Sequence, residues 1–272
     1  MIELVGKIGS MALLSRDKTG IDYAKFERIG SVIAPGTIWV SSGAVEIGKL
    51  DYISRAGVPL DCTKDEAKTD YAAQGQAILM ETYRKYIPDK YSVRQVLVEH
   101  QHFNHKAKRA HIKNLLLRAA AQNAIPIVNY NDAVSSEETR KLEIASVRES
   151  VGEAVELIDN DETASQVAQL VEAKRLIILT NTDGIYRDIS DPKSLIETIS
   201  GSTPEEVLRR IDEAKSSCKG ASREGAFGAS AKLEHIKQCV GKRILVYIAS
   251  AEYGIKDILG GNIRCTRIGI GL

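Results

Sequence analysis

The sequence predicts an α/β protein built on a mainly parallel sheet, and three observations carry that expectation. Short apolar bursts rich in β-branched residues recur at 2–8, 37–40, 93–98, 125–128, 176–179 and 244–248, each of strand length. Helix-compatible stretches separate them, at 23–34, 65–86, 106–123, 161–173, 203–214 and 229–240. Strands that alternate with helices in this way pair in parallel through crossover connections. The third observation is the last stretch, GGNIRCTRIGIGL, which ends as a short strand pattern after a glycine pair.

The chain has 272 residues, 43% hydrophobic and 27% charged, a balance that supplies a substantial core and speaks against disorder. No internal repeat, low-complexity tract or proline- and serine-rich linker divides it, so one domain over residues 1–272 is expected. The formal net charge of +1 provides no global field to gather nucleic acid or an acidic membrane surface. Any phosphate chemistry must then be local. Cys62, Cys218, Cys239 and Cys265 are scattered, without the close spacing of zinc ligands or a redox pair, which fits reduced thiols in the cytoplasm. The amino terminus lacks an apolar core of signal-peptide length, and no run approaches the roughly eighteen apolar residues of a membrane span. A soluble, cytoplasmic protein is the expectation.

Six segments combine glycine, hydroxyl, amide, carboxylate and lysine groups at strand or helix ends. Residues 5–10, VGKIGS, run a strand into a small-residue turn with Lys7 between Gly6 and Gly9; glycines admit phosphate oxygens to the backbone and a lysine adds a compact charge. In WVSSGAVEIG, residues 39–48, a strand empties into Ser41, Ser42 and Gly43 before an apolar helical start, a junction that suits an anion or simply a helix cap. VNYNDAV (128–134) and DNDETASQVAQLV (159–171) bring amide donors and carboxylates to element ends. Asp159 and Asn160 are good capping residues for the helix that follows. LTNTDGIYRD (179–188) and GAFGASAK (225–232) supply a polar turn after Thr180 and a small-residue loop leading to Lys232. Turn chemistry alone would explain any one of the six.

In this order and spacing the six segments resemble the amino acid kinase family, and among its branches the glutamate 5-kinases, from about Val5 to Arg267; AAQGQ at 72–76 is similar to the family's helix after the substrate turn. The resemblance implies a three-layer α/β/α sandwich, with nucleotide and acceptor end to end across the carboxyl edge of the sheet. It implies ATP with Mg²⁺, a small acidic acceptor whose carboxylate becomes an acyl phosphate, no dedicated metal site in the protein, and a homo-oligomer. Lys7 and Lys232 would stabilise the transferring phosphoryl group, with Asp161 organising both. Nucleotide and phosphate positions are then Lys7, Gly9, Ser10, Thr180, Asn181, Gly184, Tyr186, Gly228 and Lys232, with Gly9 offering its amide. Acceptor positions are Ser42, Gly43, Asn129, Asp132, Asp159 and Asn160.

The chain also differs from that pattern. Tyr130 stands where the glutamate 5-kinases carry glutamate, the glycine loop reads Gly225, Ala226, Phe227, Gly228, Ala229, and Asn181 replaces an aspartate. Residues 135–158 are longer than the usual connection, and a catalytic domain without the RNA-binding-like carboxyl-terminal domain is the expectation. The acceptor half is therefore open to a same-fold alternative such as UMP, carbamate or a small phosphate or phosphonate. A regulator that binds nucleotide without turnover is a further alternative. A lid over 135–158 could meet the acceptor anion with Arg140 or Arg148; a surface excursion or subunit contact is the plainer reading. His100, His102, His105 and His111 place four of the five histidines in twelve residues, but no cysteine or aspartate cluster completes a metal set, and a solvated loop and helix start is expected. The basic run 106–113, KAKRAHIK, lacks interleaved aromatics and reads as a solvated helix face. Tyr83, Tyr86 and Tyr91 read as packing residues with hydroxyls at the rim.

Overall fold

In the computed structural model, which describes residues 1–218 and 228–272, one eight-stranded sheet organises the protein. The strands are β1 (Leu4–Ile8), β2 (Thr37–Ser41), β3 (Ser92–Val98), β4 (Ala124–Tyr130), β5 (Arg175–Thr180), β6 (Thr198–Gly201), β7 (Leu245–Ser250) and β8 (Thr266–Ile270). They lie in the order β3-β4-β2-β1-β5-β7-β8-β6. Every neighbouring pair is parallel except β7 with β8. All six expected strands are present, and the expected last strand is β8; β6 adds an edge that sequence pattern alone does not mark.

Ten α-helices accompany the described strands: α1 (Tyr23–Gly30), α2 (Ala44–Ala56), α3 (Lys64–Tyr86), α4 (Gln101–Asn104), α5 (Lys106–Ala121), α6 (Glu137–Val151), α7 (Asn160–Leu170), α8 (Pro204–Ser217), α9 (Gly228–Gly241) and α10 (Ile255–Gly260). Period-two alternation along β1 sorts the layers. Val5 belongs to a core with Leu116 of α5, Val167 of α7, Ile211 of α8 and Ile236 of α9. Leu4 and Ile8 belong to the opposite core, with Phe26 of α1, Ile47 of α2, Leu79 of α3 and Ile258 of α10. Helices thus cover both faces, as a parallel sheet requires.

Two close approaches set the geometry near the carboxyl edge. A β-carbon on Gly75 of α3 would fall 1.8 Å from the Ala44 carbonyl oxygen of α2, and one on Gly48 of α2 would fall 1.9 Å from the Tyr71 carbonyl oxygen of α3. Only glycine at both positions lets the two backbones cross at this distance, which brings the carboxyl half of α3 against β4. In β1, Gly6 makes room for an aromatic ring: its β-carbon would lie 1.9 Å from Trp39 Cζ3. That use of Gly6 differs from the expected approach to phosphate. Trp39 Nε1 in turn donates to the Tyr83 hydroxyl at 3.0 Å, which also meets Ser41 Oγ at 2.9 Å. Tyr83 is fully buried, unlike the rim position expected; a buried phenol needs such partners, and burial raises its pKa.

Gly75→Ala is expected to destabilise the protein by about 3 kcal/mol, the upper end for overpacking because the obstructing atom is backbone. Thermal unfolding should show a Tm lower by roughly 6–12 °C at this chain length. An unchanged Tm would contradict the tight α2–α3 crossing.

Candidate active site

β1 places Lys7 on the sheet face covered by α7, one residue pair along from Val5. The α7 amino terminus is fixed by Asp159, whose Oδ1 accepts from the backbone N–H groups of Asp161 and Glu162, both at 2.9 Å. That cap holds Asp161 in the first helical turn, where the helix dipole favours a negative charge. Lys7 Nζ lies 2.6 Å from Asp161 Oδ1, and Lys232 Nζ, one turn into α9, lies 2.9 Å from Oδ2. Asp161 is 4% exposed and Lys7 7%. Burial alone would raise the Asp161 pKa, but the charges of Lys7 and Lys232 outweigh it and hold the carboxyl well below the usual range. Two cations around one anion leave a net positive centre, suited to an incoming anion.

On one side of this centre lies a chain of side-chain amides. Asn160 Nδ2 donates to Ser42 Oγ at 3.0 Å and to Asn129 Oδ1 at 3.1 Å. Asn129 Oδ1 also accepts from the Tyr130 backbone N–H at 2.8 Å, and its Nδ2 donates to Gln76 Oε1 of α3 at 2.8 Å. Gly43 sits beside Ser42 as the α2 N-cap with φ +105°, a left-handed conformation that favours glycine. The structure thus brings together Ser42, Gly43, Asn129, Asp159 and Asn160. Asp132 pairs with Lys68 Nζ of α3 at 2.9 Å. Sequence reading missed Gln76 and Lys68; AAQGQ held the glutamine, but only the α2–α3 crossing shows which way it faces.

On the other side, β5 ends in Thr180, whose carbonyl accepts from the Ala251 N–H at 2.8 Å. Thr180 and Asn181 line an open cleft of about 240 Å³ with Met11, Ser250 and Glu252. Tyr186 donates its hydroxyl to Asp183 Oδ2 at 3.2 Å. Burial and then the Asp183 charge push the pKa of Tyr186 up, and the same two causes raise that of Tyr253. Asp183 and Tyr253 are further candidates that sequence reading did not single out.

Two expected phosphate contacts are arranged differently. The Gly9 N–H donates to the Leu179 carbonyl at 3.3 Å instead of facing outward; a β-carbon at Gly9 would stand 3.6 Å from Lys7 Nζ, so the glycine keeps space beside the lysine. Gly184 is buried against β8, where its β-carbon would meet Thr266 Oγ1 at 2.4 Å, and it serves packing. Ser10 opens a 3-10 turn over Ser10–Ala12. Gly228 begins α9 with φ +63°, while Gly225, Ala226 and Phe227 lie outside the described residues.

Residues 135–158 contain α6, whose N-cap is Ser136. Tyr130 is buried, and its hydroxyl meets Ser135 Oγ at 2.8 Å, so the phenol anchors the start of this segment. Arg140 Nη1 donates to the Leu157 carbonyl at 3.3 Å, and Arg148 pairs with Glu156. Both arginines therefore hold the segment's own return. His100 is 4% exposed and meets Glu143 of α6 through Nε2 at 2.6 Å; it is buried and paired, contrary to the solvated loop expected.

Asp161→Asn should weaken folding by about 3–5 kcal/mol, the cost of leaving buried lysine charge without its counter-ion. A carboxyl with a depressed folded pKa stabilises above its unfolded value, about 4, and loses that contribution as pH falls toward the folded value. Urea unfolding should therefore show a constant gap between parent and variant from about pH 5 to 7 and a narrowing gap below about 4. A gap independent of pH down to strong acid would contradict the assignment.

Relatives with curated names share this chain's sequence across most of its length. A glutamate 5-kinase of Carboxydothermus hydrogenoformans is 30% identical over 267 residues, covering 95% of this chain and 65% of that protein. A glutamate 5-kinase of Laribacter hongkongensis is 32% identical over 197 residues, covering 70% of this chain and 47% of that protein. A glutamate 5-kinase of Clostridium acetobutylicum is 31% identical over 268 residues, covering 94% and 90%. The chain thus spans about half to two thirds of the first two relatives and nearly all of the third. Among solved structures, carbamate kinase from Giardia lamblia bound to AMP-PNP superposes with a TM-score of 0.60 at 14% identity, covering 98% of each chain. UMP kinase from Bacillus anthracis gives 0.53 at 13%, covering 99% of this chain and 95% of that one. These two likenesses establish the shared fold. The amino acid kinase family pattern matches residues 7–250, the span that carries Lys7, the amide chain, Asp161 and Lys232, and the chain belongs to the amino acid kinase family.

Proposed function

We propose that residues 1–272 form one kinase domain that transfers the γ-phosphoryl group of ATP to the side-chain carboxylate of a small acidic acceptor, in the manner of a glutamate 5-kinase. The observation that carries this reading is Asp161 held between Lys7 and Lys232. A carboxylate acceptor titrates near about 4 and is ionised at neutral pH, so no general base is needed. One acceptor carboxylate oxygen forms the new P–O bond as the bond from the γ-phosphorus to the ADP oxygen breaks; the products are an acyl phosphate and ADP. What the protein must supply is alignment of two anions and neutralisation of the charge that spreads over the transferring group. Lys7 and Lys232 are placed for that, and Asp161 pairs with both and directs them into the same space.

Thr180, Asn181 and Tyr186 are the nucleotide side in this reading, and Ser42, Gly43, Asn129 and Asn160 the acceptor side. Mg²⁺ would neutralise phosphate charge when bound. Among the described residues no group of three or more histidine, cysteine or acidic side chains is arranged to hold a metal, and Asp161 is engaged by both lysines. Those donors fit an ion carried in on the nucleotide's own phosphates, as magnesium commonly is. No described helix is long and apolar enough to cross a membrane; cytoplasmic residence and a homo-oligomer complete the proposal.

Steady-state ADP release with glutamate, aspartate, N-acetylglutamate, carbamate, UMP and isopentenyl phosphate tests the reading. Glutamate should support ADP formation above the acceptor-free background. Preference for UMP, carbamate or isopentenyl phosphate would transfer the assignment to a same-fold kinase, and no acceptor-dependent ADP at all would favour a nucleotide-binding regulator. Lys232→Ala should lower turnover on the order of 10²-fold while changing the ATP requirement much less, because its charge acts mainly in the transition state. Preserved turnover would remove Lys232 from that role.

A further inference from the structure

The amide chain beside the lysines has a direction, and that direction originates in one backbone group. A side-chain amide can be turned end for end, but the Tyr130 N–H can only donate. It donates to Asn129 Oδ1 at 2.8 Å, so Asn129 must present its NH₂ group to Gln76, which therefore accepts through Oε1 at 2.8 Å. The same Asn129 oxygen takes the Asn160 Nδ2 donor at 3.1 Å. Two ends of the chain are left over. Gln76 Nε2 and Asn160 Oδ1 are both buried and without a hydrogen-bond partner among the described residues. Gln76 itself is 9% exposed. A buried amide end without a partner costs stability, so opposite unmet ends on one connected chain call for a ligand with matching groups.

We infer that Gln76 is a specificity-determining residue for the acceptor, its Nε2 donating to the acceptor's non-reacting carboxylate while Asn160 Oδ1 accepts from an N–H on the same molecule. This rests on the glutamate-like reading above and deepens it. Asn160 adjoins Asp161 in sequence, Asn129 follows, and Gln76 is the member farthest along the chain from the lysines. The carboxylate that takes the phosphoryl group must lie at the lysines, so the group read by Gln76 is the one at the far end. The terminal torsion of glutamine is soft, which lets Nε2 turn toward an arriving oxygen while Oε1 stays near Asn129. The glycine crossing of α2 and α3 is what carries Gln76 to this position.

Gln76→Glu separates the two ends of the side chain: it keeps an oxygen for Asn129 Nδ2 and replaces the unpaired donor with an acceptor. Binding to the full chain by calorimetry would use L-glutamate, glutarate, which lacks the ammonium, and 4-aminobutyrate, which lacks the far carboxylate. The parent should bind glutamate most tightly. Gln76→Glu should weaken glutamate and glutarate by about 10- to 100-fold, as for loss of a hydrogen bond to a charged group, and 4-aminobutyrate far less. Gln76→Leu, which removes the donor without adding charge, should show the same ligand pattern. Equal weakening of all three ligands, or none, overturns the role of Gln76 while leaving the glutamate reading in place. A parent chain that binds none of the three sinks the glutamate reading, and the role of Gln76 falls with it.

Discussion

A carboxylate 4% exposed, with one ammonium group at 2.6 Å and another at 2.9 Å, is an uneven arrangement of charge. Removing any of these groups from water costs several kcal/mol, and mutual attraction repays that only when the geometry is good and further hydrogen bonds are available. Asp161 meets those terms through its position in the first turn of α7. Even so, one anion cannot neutralise two cations, and the excess positive charge is concentrated where β1, α7 and α9 meet. That excess makes the junction favourable for a further anion.

The rest of the fold is arranged around keeping that bridge in place. Lys7 is a strand residue paired in register with Val40 of β2 and Ile178 of β5, so its Cα is held by ladder bonds on both sides. Asp161 depends on the Asp159 cap, and Lys232 on the packing of α9 against α7. Gly6 on the opposite face of β1 accepts the Trp39 ring, which ties β1 and β2 to Tyr83 of α3. The same helix α3, brought close by Gly48 and Gly75, delivers Gln76 to Asn129. Packing on one face of the sheet thus fixes polar chemistry at its edge, and the two cannot be altered independently.

Much of this was legible in residues 1–41 and 159–180 because local rules decide it. The alternation of β1 places Lys7, and Asp159 before a helix pattern reads as a cap whatever its partners. Other features depend on tertiary contacts that no local pattern encodes. Gly184 looks like a flexible turn glycine until Thr266, 82 positions away in the chain, is seen against it. Gly9 sits in a small-residue turn as expected, yet its amide is taken by Leu179 of a strand distant in sequence. Helix α6 was read only as a longer connection because its apolar positions are sparse; Ile144 is buried, whereas Leu142 is 69% exposed. Its attachment runs through His100 with Glu143 and Tyr130 with Ser135, pairs that become visible only when β3 and β4 lie side by side.

Fold likeness and acceptor chemistry separate at this point. Carbamate kinase and UMP kinase share the backbone arrangement at identities of 14% and 13%, so strand order and helix placement do not choose an acceptor. Choice lies in the ends of side chains. A simple alkyl phosphate such as isopentenyl phosphate would offer oxygens to Gln76 Nε2 but no N–H to Asn160 Oδ1, leaving that acceptor buried and unmet. A dicarboxylate without nitrogen would leave the same defect, and a simple amine would leave Gln76 unmet instead. Buried polar groups discriminate more strongly against a missing partner than apolar pockets do against a missing methylene. A backbone N–H at Tyr130 that cannot be reversed thus sets the direction of the whole amide chain, and on the reading proposed above its two unmet ends match a ligand carrying both a donor and an anionic group, as an amino acid does.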